Sequence, residues 1–377
     1  MKKFIIKVSI FLISTSIFYI FPVAVLFIGR ETFSGHDAVL QQQKHPEALV
    51  GYAYGVQSFI PYKEALVTGR DANVIALGTS RVMQFRKEFF KDQDRFANAG
   101  GAATSFTDVK NFIDFLPNDG KKRFVILGFE KEFFLKTPQE TGVRKGDSAE
   151  NNTPKRIAYL LLASTRRIYI DTLSKYSITS LWNLSKNNND VGIMATVEDD
   201  GFRSDGSRLY KNIKKTDLES WAKNEIHIRA GEYRDDKYTA PTDDLSIQNN
   251  LEMLSTILET CKKKNITLIG FNEPYPTEAY NAIQESSDTS RKIMNEIPKE
   301  VSKMFSQYSF PFYDLSKIDT FGGSDREFID NIHGSDLMNA RIVLFMGTHN
   351  KEVENIIDEN GLKKMINKYN GNIYLPF

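Results

Sequence analysis

Short apolar runs alternating with amphipathic stretches constrain this chain more than any other feature. Asn73-Val74-Ile75-Ala76-Leu77, Phe124-Val125-Ile126-Leu127-Gly128-Phe129 and Ile266-Thr267-Leu268-Ile269-Gly270-Phe271 are predominantly apolar, with no polar alternation. Such runs read as strands buried on both faces, the habit of a parallel sheet. Phe310-Pro311-Phe312-Tyr313-Asp314-Leu315 adds a short strand or strand edge. Between the first two runs, Ser105, Phe106, Val109, Phe112, Ile113 and Leu116 recur at helical spacing, with Ser105 placed to cap. Ile247, Leu251, Leu254, Ile257, Leu258 and Cys261 form a second stripe, closed by Lys262-Lys263-Lys264 where cations suit a helix C-terminus. Residues 288–307 read as another amphipathic helix, and Ser335 stands ready to cap a last one through Met338, Ile342 and Phe345. Strand, turn, helix and strand in that order predict an α/β domain with a parallel sheet and right-handed crossovers.

The N-terminus is of a different kind. Lys2, Lys3 and Lys7 precede a run from Val8 to Ile28 that carries no charge. About 20 residues in a helix span the ~30 Å hydrocarbon core of a bilayer. Lysines ahead of the run favour a cytoplasmic N-terminus and an extracytoplasmic main domain. A cleaved signal peptide usually has an apolar region of only about 7–15 residues and a small-residue cleavage site. The stretch Phe21-Pro22-Val23-Ala24-Val25-Leu26-Phe27 offers no good site, so an uncleaved single-pass anchor in the cell membrane is expected. The reading is a tip and transmembrane anchor over 1–30, a stalk over 31–70, and an α/β domain over 71–377. Within that domain 136–245 is a polar insertion, either a solvated segment or a lid or substrate platform. It carries apolar helical patches around Ile157–Leu162 and Tyr169–Leu184, and turns over Glu198–Gly206.

Composition excludes some classes. Lys+Arg total 49 against 48 Asp+Glu, a net charge of +1, which lacks the basic bias of a nucleic-acid binder. The single cysteine, Cys261, cannot form an internal disulfide and reads as a buried structural thiol. There is no paired-His or Cys spacing for a metal and no phosphate-loop or dinucleotide glycine pattern, so no cofactor is expected.

Two short motifs carry the chemistry. Gly78-Thr79-Ser80-Arg81 ends the first apolar run, and a serine at the carboxyl end of a strand in an open α/β sheet lies where sites form. Asp330-Asn331-Ile332-His333 sets an acid three residues before one of five histidines, close enough for the carboxylate to bond one imidazole nitrogen. The other nitrogen is then free to take a proton from Ser80. Alone, Gly-Thr-Ser is also an ordinary turn and Asp-x-x-His a frequent chance pattern. Arg81 either binds an anionic group or makes a surface ion pair.

The order of strand, Gly78-Thr79-Ser80, a Gly-rich Asn98-Ala99-Gly100-Gly101 turn and a late Asp330-x-x-His333 resembles the SGNH (GDSL-type) hydrolase superfamily. The resemblance covers roughly residues 70–135 and 246–350. It implies a three-layer α/β/α, flavodoxin-like fold, with Ser80 as nucleophile, His333 as base and Asp330 as its partner. With the anchor, the chain is most similar to membrane-tethered members that work in polysaccharide O-acetylation or teichoic-acid D-alanylation. That implies a serine acyltransferase or esterase acting on an envelope polysaccharide, supplied by a multi-pass membrane acyltransferase. The resemblance puts oxyanion donors at Gly101 and Asn98. Gly128-Phe129-Glu130-Lys131 stands where the family has Gly-x-Asn-Asp, so Asn98, Arg81 or Lys131 is left to substitute, and Arg81 and Lys131 are also candidate substrate contacts. The alternative is an inactive SGNH-like module that binds glycan or a partner protein.

Overall fold

The computed structural model describes residues 1–54, 59–135, 153–210, 218–237 and 244–368. The expected insertion therefore lies partly outside the described residues. The chain divides into two compact units. The first comprises Met1–Tyr62, Lys145–Ser204 and Arg208–Lys211; the second comprises Lys63–Arg144, Asp205–Ser207 and Asn212–Phe377.

The second unit is built on a five-stranded sheet. Its strands are β1 (Val74–Gly78), β2 (Phe96–Gly100), β3 (Arg123–Phe129), β4 (Ile266–Asn272) and β5 (Phe312–Asp314), in the order 2-1-3-4-5. Every pairing is parallel, with Val74 opposite both Phe96 and Phe124, Arg123 opposite Ile266, and Gly270 opposite Phe312. The expected α/β class with a parallel sheet is thus observed, and its strands fall on the four apolar runs. β2 differs: the Asn98–Gly101 stretch, read as a turn, is an edge strand through Gly100. Its small residues have little strand preference of their own. They are held instead by register with β1.

Alternate residues of a strand point to opposite faces. Val74, Ala76, Ile126, Ile269 and Phe271 share one buried cluster with Leu337, Met338, Ile342 and Met346 of the helix Asp336–His349. Their neighbours Ile75, Leu77, Val125, Leu127 and Leu268 face the other way and are also buried. Both faces are therefore covered, which is why these strands carry no polar alternation. Ser105 caps the helix Phe106–Phe115 by accepting the Asp108 N–H, and Ser335 does the same for Met338. Residues 288–307 form two helices, Asp288–Asn295 and Ile297–Gln307, because Pro298 belongs in a first turn rather than a helix interior.

Cys261 is fully buried on the helix Asp244–Lys263, and burial pushes its thiol up to about 12. A raised value leaves the thiol protonated at pH 8, and only the thiolate is nucleophilic. Iodoacetamide at pH 8 is expected to leave folded protein unmodified and to label it fully in denaturant. Labelling under native conditions, followed by mass spectrometry, would contradict this burial.

The first unit gathers what the sequence suggested were three separate parts. Lys2–Ile28 is one helix, long and apolar enough to cross a membrane. Its last turns bury Val25 and Leu26 among Tyr54, Leu160, Ile168, Leu181 and Ile193. Glu31, fully buried, accepts the backbone N–H groups of Ala53, Tyr54 and Ile193 at 2.8, 3.1 and 2.8 Å. The first half of the expected stalk is therefore part of a packed core. The amphipathic patches of the insertion supply the rest of that core, since an apolar helical face needs a partner and this one is local. Gly201–Phe202 and Arg208–Leu209 pair as a two-stranded antiparallel ribbon within the turn-rich segment.

Candidate active site

Order 2-1-3-4-5 reverses direction between β1 and β3, and open sheets place their sites at the carboxyl ends of strands beside that switch. Ser80 follows β1 there. Gly78 closes the strand at φ +152°, and a Cβ on it would lie 3.1 Å from the Gly128 carbonyl oxygen. A tight, glycine-dependent exit therefore turns the chain into the 3₁₀ turn Ser80–Gln84, capped by the Thr79 hydroxyl accepting the Arg81 N–H. Ser80 becomes the first residue of that turn. Its own N–H is one of the donors a helical turn leaves without an internal acceptor.

The second motif sits in a closed turn. Ile329 N–H donates to the His333 carbonyl at 2.9 Å, and Ser335 N–H to the Glu327 carbonyl at 2.8 Å. Asp330 uses its two oxygens separately. Oδ1 accepts the N–H groups of Ile332 and His333 at 2.9 and 2.8 Å, an Asx turn. Oδ2 bonds His333 Nδ1 at 2.6 Å. The ring's far nitrogen, Nε2, lies 2.7 Å from Ser80 Oγ. The three residues thus form one unbroken chain of hydrogen bonds across 253 positions of sequence. Asp330 and His333 are 23% and 17% exposed, wet enough for access yet sheltered enough to keep the bonds strong. Burial alone would raise the Asp330 carboxyl. The bond and charge of His333 and the two backbone N–H groups outweigh it, holding the carboxylate below its usual range. An ionised Asp330 favours the imidazole tautomer with its proton on Nδ1, which leaves Nε2 as the acceptor facing Ser80.

A buried ion pair ties the two motifs together. Arg86, two residues past the Ser80 turn, donates through Nη1 to Asp336 Oδ2 at 3.0 Å, and Asp336 opens the helix just after His333. Both side chains are buried. The sequence carries no signal for this pairing, since neither residue lies in a recognisable motif.

The supporting residues have roles different from those expected. Asn98 is fully buried, and its amide donates to the carbonyls of Val82 and Phe85, each at 2.8 Å, while its oxygen accepts the Gly100 N–H at 2.7 Å. It braces the serine turn and is not an oxyanion donor. Gly101, at φ +83°, shares its N–H between the carbonyls of Gly78 and Thr79, both at 2.9 Å. A backbone donor thus lies beside the serine loop but is committed to it.

Arg81 is corrected likewise. It is buried, with Nε 2.9 Å from Glu273 Oε2, Nη2 donating to the Pro274 carbonyl, and its guanidinium 4.6 Å over the Tyr275 ring. Burial would lower its pKa; Glu273 and Glu130 raise it further, so the cation persists. Lys131 is buried with its ammonium 5.2 Å over the Tyr233 ring. Both cations are engaged inside the protein, Arg81 by Glu273 and Tyr275 and Lys131 by Tyr233. Glu130, in the place of the expected amide, accepts a hydrogen bond from the Thr79 hydroxyl. Glu130, Glu132 and Glu273 surround Arg81, and burial followed by mutual repulsion pushes Glu132 up, while burial pushes Glu273 up despite Arg81.

Sequence reading also missed Asp205-Gly206-Ser207, of which only the first two fall within the turns expected over Glu198–Gly206. Asp205 accepts the Lys87 N–H at 2.9 Å through its carboxylate and the Asn98 N–H at 2.7 Å through its carbonyl. Lys63, fully buried, donates to the carbonyls of Asn98 and Gly206 at 2.9 and 2.6 Å. The tripeptide therefore steadies Asn98, and Asn98 steadies the serine turn.

No protein-family model and no curated protein matches this chain.

Proposed function

We propose that this protein is a membrane-anchored, extracytoplasmic serine acyltransferase or esterase of SGNH-like, flavodoxin-like fold, acting on hydroxyl groups of an envelope polysaccharide. The observation that carries this reading is the linear contact from the Ser80 hydroxyl through His333 to Asp330, within hydrogen-bond reach at both joints. His333 Nε2 takes the Ser80 proton as Oγ bonds the acyl carbon of an ester or thioester. The carbon's bond to the leaving oxygen or sulfur then breaks, and that atom takes the proton from Nε2. In the second half, an acceptor hydroxyl passes its proton to Nε2 and takes the acyl carbon, and Ser80 regains its proton. A sugar as acceptor gives transfer; water gives hydrolysis. The Ser80 N–H, at the head of its turn, supports a developing oxyanion. The anchor through residues 8–28 keeps the domain near a membrane acyl donor, where tethering raises effective concentration.

One observation favours the competing reading of a glycan- or partner-binding module: the Asn98 and Gly101 donors are already spent on the serine loop. A fluorophosphonate probe separates the two. The enzyme reading expects stoichiometric labelling at Ser80, and a rate about 10²–10⁴-fold lower in Asp330→Asn, whose imidazole loses its orienting charge. Folded protein that refuses the probe supports the binding module instead.

A further inference from the structure

The first unit carries a set of exposed apolar side chains that the proposed chemistry does not use. Leu162 is 82% exposed, Trp182 58% and Ile170 55%, with Tyr159 and Leu184 also on the surface. They come from the helix Thr153–Arg167, the π-turn Ile168–Leu173 and the helix Ile178–Asn187. The same three elements pack on the N-terminal helix. By Phe18 that packing has begun: its ring stacks on Tyr169 with centroids 5.1 Å apart, and the Tyr169 hydroxyl donates to the Phe18 carbonyl at 2.5 Å. Pro22, Val25 and Leu26 are buried further along.

Helix length makes this arrangement informative. From Val8 to Ile17, ahead of the packed part, the helix rises only about 15 Å. Even from Lys2 the rise is about 24 Å, short of the ~30 Å hydrocarbon core. The apolar run reaches across a bilayer only if Phe18 and the turns after it are inside. Those turns are the ones sheathed by Leu160, Ile168 and Leu181. Whatever sheathes them sits at the same depth.

Resting on the anchor reading, we propose that these three elements lie in the outer headgroup and acyl boundary of the membrane, with Leu162, Ile170 and Trp182 in lipid. The composition fits such a site. A tryptophan and a tyrosine stand among aliphatic side chains, the mix of a membrane–water boundary. Exposed Arg166 and Lys186 on the same elements, and Lys175 in the turn between the last two, supply cations long enough to reach headgroups.

Trp182 reports the answer directly, since the chain has two tryptophans and Trp221→Phe leaves it alone. Full-length protein is placed in phosphatidylcholine vesicles, with and without bromine on the acyl chains. A roughly twofold or greater loss of emission in brominated lipid, with little quenching by aqueous iodide, is the expected result for a boundary-depth tryptophan. Adding Leu162→Asp and Ile170→Asp, both solvent-tolerant at these exposures, is expected to restore about half of that emission. Quenching by iodide and indifference to bromine overturns the proposal. Shielding from both quenchers also overturns it, because a protein then covers the patch. Protein washed from vesicles by alkaline carbonate sinks the anchor reading itself; carbonate-resistant protein with an iodide-quenched Trp182 sinks the lipid surface alone.

Discussion

Ser80→Ala is expected to lower ester turnover by about 10⁴–10⁶-fold with little change in KM, because it deletes the bond-forming atom and leaves the rest of the site standing. Nothing else in the site can replace it. Thr79, the adjacent hydroxyl, is held by the Glu130 carboxylate and serves as the cap of the turn, with no imidazole bonded to it. The only cysteine is buried on a helix with its thiol pushed up to about 12. The residual rate should match that of a His333→Ala variant, since nucleophile and base act as one device and their losses do not add. The measurement is hydrolysis of an activated acetyl ester by both variants and the double variant. A Ser80→Ala protein that retains more than about a tenth of the activity would show that the acyl group never visits this serine, since a true nucleophile leaves no such residue of rate.

Arg86→Met is expected to cost about 3–5 kcal/mol of folding stability, the range for a buried ion pair that loses one partner. Asp336 would remain buried with a charge and no guanidinium beside it. A further consequence separates this site from an ordinary core position. Arg86 and Asp336 join the segment bearing Ser80 to the segment bearing His333, so the folded fraction should also turn over more slowly. Arg86→Met with Asp336→Leu removes both charges, and such replacements are often neutral or better for stability. The double variant should therefore recover most of the unfolding free energy in urea while recovering less of the activity. If stability and turnover return together, the pair is only a stabiliser and does not hold the two motifs in alignment.

Much of this was legible in advance, for identifiable reasons. Strands β1, β3 and β4 announce themselves because both of their faces are buried, so polar residues do not alternate along them. Ser105 and Ser335 are legible as caps because capping is a local bond between a side chain and an amide three residues on. The Asp330–His333 contact is legible because it closes within one turn. What stayed hidden depends on long-range packing. β2 is made of Phe, Ala, Asn and Gly, and only its register with β1 makes it a strand. Arg81 and Lys131 look in sequence like any exposed cations. Their burial under Tyr275 and Tyr233 is set by residues about 100–200 positions away. Asn98 has the chemistry of an oxyanion donor, and only coordinates reveal that its amide is already occupied. The apolar patches between 157 and 184 are recognisable as helices, yet nothing local says that their partner is the N-terminal helix.

Asp205, Gly206 and Ser207 have a practical bearing on how this protein can be cut down. They belong to the unit that carries Ser80 and His333, yet they are flanked on both sides by polypeptide that belongs to the other unit. A simple excision of the middle region would discard them and with them the supports of Lys87 and Asn98. A minimal version of the sheet-bearing unit therefore has to be made by grafting: the replacement linker must return in time to lay those three residues back along the sheet edge, or the serine loop will be left without its scaffold.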